Sequence, residues 1–86
     1  MAGAAGTITG TGAVGTSAVT HASIKMDFSG TASVDIEEQM PSGAWIKIVT
    51  GVTADYRQVY ESPTLATIRL NCTSFTNNVE YSIESN

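Results

Sequence analysis

The sequence predicts an all-β protein: one small antiparallel β-sandwich or barrel, jelly-roll- or immunoglobulin-like, of about six to eight strands, with an extended N-terminal arm. A chain of 86 residues has room for only one hydrophobic core. Seven Ile, seven Val and twelve Thr stand against two Leu, and β-branched side chains fit a pleated strand better than a helix. Apolar and polar residues alternate with a period of two from residue 18 onward.

Composition and charge exclude several classes of function. With four basic residues and a net charge of −4, the chain cannot neutralise a run of phosphates, so we expect no nucleic-acid partner. The single cysteine allows no internal disulfide, and no Cys/His cluster suits zinc. The apolar runs are too short to cross a bilayer, and the N-terminus lacks the apolar core of a signal peptide. We therefore expect a protein that is made in the cytoplasm, has no membrane partner and needs no cofactor.

The N-terminal segment differs in composition from the rest of the chain. Residues 1–20 contain five Gly, five Ala and five Thr, and no charge precedes Lys25. Such a segment has few large apolar groups to offset the entropy of ordering it. We predict that residues 1–17 are an arm that orders along another subunit, with a floppy tail as the alternative, and that residues 18–86 form the sandwich. The arm residues expected at an interface are Thr7, Ile8, Thr9, Thr11 and Val14.

The first half of the body contains two alternating segments, residues 18–28 and 31–40. Both have the pattern of half-buried antiparallel strands. Glu38 is the exception, because it falls in the apolar phase and indicates a bulge or an exposed strand end. Turn signals follow the two segments: Ser29-Gly30 and Pro41-Ser42-Gly43.

The second half predicts further strands over residues 44–50, 65–72 and 79–84. Residues 52–60 have no clear phase, and Ser62-Pro63 predicts a break in the chain. Short strands at intervals of about 8–12 residues are typical of sandwiches and barrels.

No set of residues predicts catalysis, so we expect a protein that is not an enzyme and has no metal site. His21 is the only imidazole and falls in the polar phase, which favours a solvated surface position. Cys72 falls in the apolar phase and is expected to pack in the core. Asp35, Glu37 and Glu38 lack the oxygen-rich loop of a calcium site. A solvated face, or the rim of an interface, explains these carboxylates better.

The aromatic residues are candidates for either core or interface. Tyr81 is in phase with the apolar Val79 and Ile83 and is expected in the core, and Trp45 follows a turn and is expected to cap the sandwich. Tyr56 and Tyr60 lie beside Arg57 in the irregular segment. Exposed aromatic side chains beside charges suit a subunit contact or a surface on which sugars stack. Tyr56, Arg57 and Tyr60 therefore complete the candidate interface.

Residues 28–84 resemble a pattern found in small bacteriophage β-sandwich virion proteins, which decorate heads or form parts of tails and fibres. The pattern comprises a Gly-Thr-led alternating strand, a Gly-containing turn followed by a Trp, a buried Ile before Arg, and a last hairpin. The matching residues are Gly30-Thr31-Ala32-Ser33-Val34-Asp35-Ile36, Gln39-Met40-Pro41-Ser42-Gly43-Ala44-Trp45, Ile68-Arg69 and Asn77-Asn78 before Val79.

The resemblance implies a structural virion protein. We expect a capsid decoration, or cement, protein that binds the major capsid protein on the outside of a phage head and stabilises the assembled shell. The alternative is a tail or fibre module that recognises a host carbohydrate or receptor. Because so small a core is marginal alone, we also expect a homo-oligomer, with a trimer favoured by the three-fold sites of capsids.

Overall fold

The computed structural model describes residues 3–85, which form one open sheet of six antiparallel strands. The all-β class and the antiparallel pairing are therefore confirmed. Across the sheet the strands follow the order β1-β6-β2-β5-β3-β4. Their bounds are β1 (Gly3–Ile8), β2 (Gly12–Phe28), β3 (Ala32–Gln39), β4 (Trp45–Val52), β5 (Tyr56–Phe75) and β6 (Val79–Ser85).

The sheet is organised by its two long strands, β2 with 17 residues and β5 with 20. Residues 12–19 of β2 pair with β5 alone, whereas residues 22–26 pair with β5 on one side and β6 on the other. The C-terminal half of β5 pairs with β3. Each long strand thus changes its neighbours midway along its length, which links the β1-β6 side of the sheet to the β3-β4 side.

The predicted break at Ser62-Pro63 interrupts the ladder and not the strand. The register passes from Val19 opposite Ala66 to His21 opposite Glu61, so residues 62–65 of β5 lie opposite a single residue of β2. Proline has no N–H to donate to a ladder, which explains why it lies in this bulge. The bulge lets β5 continue as one strand past the proline.

The core lies on one face of the sheet, and the sheet curls so that this face covers itself. Ile24 of β2 and Ile68 of β5 are both fully buried, although residues 3–85 contain no second layer of helices to cover them. In β2, β3 and β6, the alternation of apolar and polar residues predicted which side chains lie on this buried face. The buried apolar residues are Ile8, Val19, Ala22, Ile24, Met26, Ala32, Val34, Ile36, Val52, Tyr60, Ile68, Leu70, Cys72, Val79 and Ile83.

The N-terminal segment differs from the predicted arm. Residues 3–8 form β1, which pairs with β6 in an unbroken register from Gly3 opposite Glu84 to Ile8 opposite Val79. Ile8 is only 1% exposed, and β2 begins at Gly12 rather than near residue 18. The ladder to β6 satisfies the backbone groups on one side of β1, so this strand needs few large side chains to hold its place.

Gly15 is required by both its backbone and its surroundings. Its φ of +69° is unfavourable for residues with a Cβ, and a Cβ there would lie 3.0 Å from Tyr81 Cε2 and 3.3 Å from Ile83 Cδ1. Gly15 occupies a bulge in β2, between the pairs of Val14 and Ser17. The missing side chain thus lets Tyr81 pack closely against β2.

Replacing Gly15 with Ala is expected to destabilise the fold by about 2–3 kcal/mol, because strain at positive φ adds to the contact with Tyr81. Gly10→Ala is the matched control, since a Cβ at Gly10 meets nothing within 4 Å. The control should change the free energy of unfolding by less than about 1 kcal/mol. Urea denaturation followed by far-UV circular dichroism compares the two, and equal midpoints would contradict this account of the bulge.

Candidate functional site

The residues predicted to form an interface lie on separate parts of the sheet. Thr7 is exposed on β1, Thr9 and Thr11 are exposed in the loop that follows it, and Val14 is half-buried on β2. Tyr56 and Arg57 begin β5, which is separated from β1 by β2 and β6. The structure therefore does not gather these side chains into one surface.

Ile8 and Tyr60 lie in the core and not at the predicted interface, which for Tyr60 is the other of the two positions that the sequence left open. Tyr60 is 8% exposed, and its hydroxyl donates a hydrogen bond to Glu38 Oε1 at 2.6 Å. Burial first, and then the contact with the Glu38 carboxylate, raises the pKa of Tyr60 to about 12. Glu38 lies in the apolar phase of β3, as the alternation indicated. The Tyr60 hydroxyl supplies a hydrogen bond to the Glu38 carboxylate in this position.

The carboxylates of β3 also differ from expectation. Asp35 and Glu37 are each 4% exposed, although their phase predicted a solvated face. Arg69 Nε donates to Glu37 Oε1 at 2.7 Å, and Asn71 Nδ2 donates to Glu37 Oε2 at 3.2 Å. Lys47 Nζ lies 3.0 Å from Asp35 Oδ2. The neighbouring strands β4 and β5 thus cover the two carboxylates with long basic side chains.

We call this group the polar network: Asp35, Glu37, Trp45, Lys47, Arg69 and Asn71. Arg69 contacts two members of this group, because it binds Glu37 and its Cζ also lies 4.0 Å from the ring centroid of Trp45. The side chain of Glu37, which Arg69 contacts, is only 5% exposed. Buried carboxylates need such partners, because an uncompensated charge in this position is costly.

Asp35 is held by its backbone contact as well as by its ion pair. Burial alone raises the pKa of Asp35, but the hydrogen bond from Gly51 N at 2.9 Å and the Lys47 ammonium outweigh burial. The pKa of Asp35 is therefore lower than its ordinary value, and the hydrogen bond to Asp35 raises that of Lys47. Gly51, at a φ of +68°, is thereby fixed to β3. The network stabilises the edge strand β4.

The outer face at the other end of the sheet, which is formed by β1, β6, β2 and the start of β5, carries exposed charged side chains. Lys25 Nζ lies 2.7 Å from Glu84 Oε1, and His21 Nε2 lies 3.4 Å from Glu61 Oε2. All four side chains are at least half exposed, so these ion pairs contribute little to stability. This face keeps the solvated character that the alternation predicted for His21.

Exposed apolar side chains concentrate near the β3–β4 hairpin. Leu65 in the β5 bulge is 70% exposed, and Met40 is 43% exposed. Both line a groove of about 400 Å³ between the hairpin and the bulge. Ile46 and Ile48 on β4 are 44% and 39% exposed, and Ile46 lies opposite Glu38, which also lines the groove. We call Met40, Ile46, Ile48 and Leu65 the apolar cluster.

Cys72 occupies the core, as its phase predicted. It is 1% exposed, and burial raises the pKa of its thiol. Within residues 3–85 no group of three or more His, Cys, Asp or Glu side chains is placed to hold a metal ion. No helix in this described range is long and apolar enough to cross a membrane.

Comparison with known proteins returned no match, whether against family models, curated proteins or solved structures.

Proposed function

We propose that the protein is a structural component that acts by binding other protein subunits. Within that class, we propose a capsid decoration, or cement, protein that binds the major capsid protein on the outer surface of a bacteriophage head. The observation that carries the proposal is the apolar cluster beside the groove of the β3–β4 hairpin.

Leu65 is the side chain best suited to anchor such a contact. It is 70% exposed, and the bulge of residues 62–65 presents it beyond the regular ladder. Met40 lines the same groove from the hairpin. An exposed cluster of large apolar side chains is typical of protein–protein contact sites. The polar network fixes the adjoining strand β4, which gives the cluster a rigid support.

The finer assignments rest on the resemblance of residues 28–84 to small phage virion proteins. They comprise the sandwich architecture, the position on the virion after synthesis in the host cytoplasm, and the homo-oligomer. The curled sheet with its single core is compatible with a sandwich. A protein that binds only the assembled shell stabilises it by mass action.

The carbohydrate- or receptor-binding alternative receives less support from the aromatic residues. Tyr60 is buried, and the half-buried Trp45 stacks on Arg69. Tyr56 is half-buried, and its hydroxyl donates to Gln58 Oε1 at 2.7 Å. The three rings therefore do not form a common exposed platform of the kind that sugars stack on.

Leu65→Asp is expected to reduce binding to phage heads by about tenfold or more, because the exchange removes an exposed anchor and places a charge in the contact. The binding partner is a preparation of heads from the encoding phage with this gene deleted, and co-sedimentation gives the bound fraction. Val59→Asp is the matched control, since Val59 is 53% exposed and lies on β5 outside the groove. The control should bind like the parent, and both variants should melt like the parent.

Three results would contradict the proposal. Failure of the parent protein to bind heads would remove the virion assignment. Equal loss in the Leu65 and Val59 variants would remove the apolar cluster as the contact. Binding to a glycan array together with no binding to heads would instead support the carbohydrate-binding alternative.

A further inference from the structure

Four stretches of the described sheet have a free side. They are β1, β4, residues 12–19 of β2 and residues 56–67 of β5. A free strand edge can pair with another chain, and proteins usually protect such edges with bulges, charges or proline. The four stretches can therefore be compared by the protection that each one carries.

Three of the four edges are protected. β4 contains two register shifts, one at Ile48 and one at Thr50-Gly51. The free part of β2 contains the bulge at Gly15. The start of β5 carries the charged side chains of Arg57 and Glu61. Bulges break the regular spacing that a new strand needs, and charges resist desolvation when a strand is added.

β1 has none of these protections. Its six residues pair with β6 without a register shift, so its free side presents a regular edge. It contains no charge and no proline, and no side chain in residues 3–7 is larger than threonine. Ala5 and Thr7 are exposed. A second strand can approach this edge without a steric or electrostatic barrier.

We infer that β1 pairs with β1 of a second copy of this chain, antiparallel and related by a two-fold axis near Ala5. This register places Ala5 opposite Ala5 and Gly3 opposite Thr7, so only small uncharged groups meet. The contact is isologous, and it joins two sheets into one of twelve strands. This inference goes beyond the proposed function and gives a two-fold contact where the resemblance favoured a trimer.

The charge distribution allows a second copy to meet at this edge, because β1 keeps the acidic side chains of the two copies apart. Each copy carries a net charge of −4, and the acidic side chains Glu80 and Glu84 lie on the neighbouring strand β6. With strands about 4.8 Å apart, the two β6 strands would lie roughly 14 Å from each other. That distance exceeds the screening length of about 8 Å at physiological salt. β1 therefore acts as a neutral spacer between two acidic proteins.

The test uses opposite charges at one exposed position. Ala5→Lys and Ala5→Glu each place like charges together at the two-fold axis and should weaken self-association by about tenfold or more. An equal mixture of the two variants brings opposite charges together and should restore association. Sedimentation velocity over a range of concentrations measures all four samples, including the parent. Thr50→Lys, at an exposed position on the bulged edge β4, is the control and should associate like the parent.

The outcomes separate this pairing from its alternatives. A parent protein that remains monomeric throughout the range would overturn the inference. So would Ala5→Lys associating like the parent, which is the result expected if β1 instead exchanged onto β6 of the second copy. Failure of the mixture to associate, with each variant melting like the parent, would also overturn it.

Discussion

Deletion of residues 3–8 is expected to unfold the protein or make it aggregate. The deletion removes β1 with its six ladder pairs and the buried side chain of Ile8. It also exposes the edge of β6, a strand whose Val79 and Ile83 lie in the core. Loss of a buried Ile side chain alone costs about 2–5 kcal/mol, against a total stability of roughly 5–15 kcal/mol for a small domain. Soluble yield and far-UV circular dichroism measure the result.

Two point variants separate the contribution of the Ile8 side chain to stability from the contribution of the backbone ladder. Ile8→Ala should lower the free energy of unfolding by about 2–5 kcal/mol, whereas Thr7→Ala, at the exposed neighbouring position, should change it by less than about 0.5 kcal/mol. A truncated protein that melts like the parent would show that β1 is separable from the body. That result would restore the arm predicted from the composition of residues 1–17.

The alternation predicted much of the core because the pattern is local. Ile24 and Ile83 each alternate with polar neighbours, and both are buried. A strand with one face in the core shows this period in its own sequence, whatever its partners are. The strand order does not show in such a pattern, since β1 pairs with β6 from the other end of the chain.

The alternation did not predict strand β1, because backbone hydrogen bonds to β6 hold this strand in place. Gly and Ala give little apolar signal, and the alternation carries no information about a ladder to a distant strand. Only Ile8 marks the strand as one that reaches the core. Low side-chain content predicted an arm that orders along another subunit, although the edge of β6 in the same chain supplies the missing interactions.

The polar network was missed for a related reason. Asp35 and Glu37 have the polar phase of a solvated face, and their partners lie far away in sequence, with Arg69 32 residues from Glu37. Local sequence does not show that long basic side chains cover a carboxylate. The apolar cluster was likewise hidden, because Leu65 and Met40 line the same groove but lie on segments that are far apart in the sequence.

Arg69→Met is expected to destabilise the protein by about 3 kcal/mol. The exchange leaves the Glu37 carboxylate, whose side chain is 5% exposed, without the cation that contacts it and with Asn71 as its remaining hydrogen-bond partner. Removing one partner of a buried ion pair costs about 3–5 kcal/mol, and the 24% exposure of Arg69 places the expected value at the low end. Urea denaturation followed by circular dichroism gives the change, and Trp45 fluorescence reports the lost stacking.

The matched control is Lys25→Met, which removes an ion pair of the same length. Lys25 Nζ and Arg69 Nε both lie 2.7 Å from their carboxylate oxygens, but the side chains of Lys25 and Glu84 are 50% and 60% exposed. An exposed pair contributes about 0–1 kcal/mol, so this variant should unfold nearly like the parent. If burial of Glu37 is the cause, then Glu37→Gln combined with Arg69→Met should recover part of the stability lost in Arg69→Met. Equal losses in Lys25→Met and Arg69→Met would show instead that distance alone, and not burial, sets the strength of these pairs.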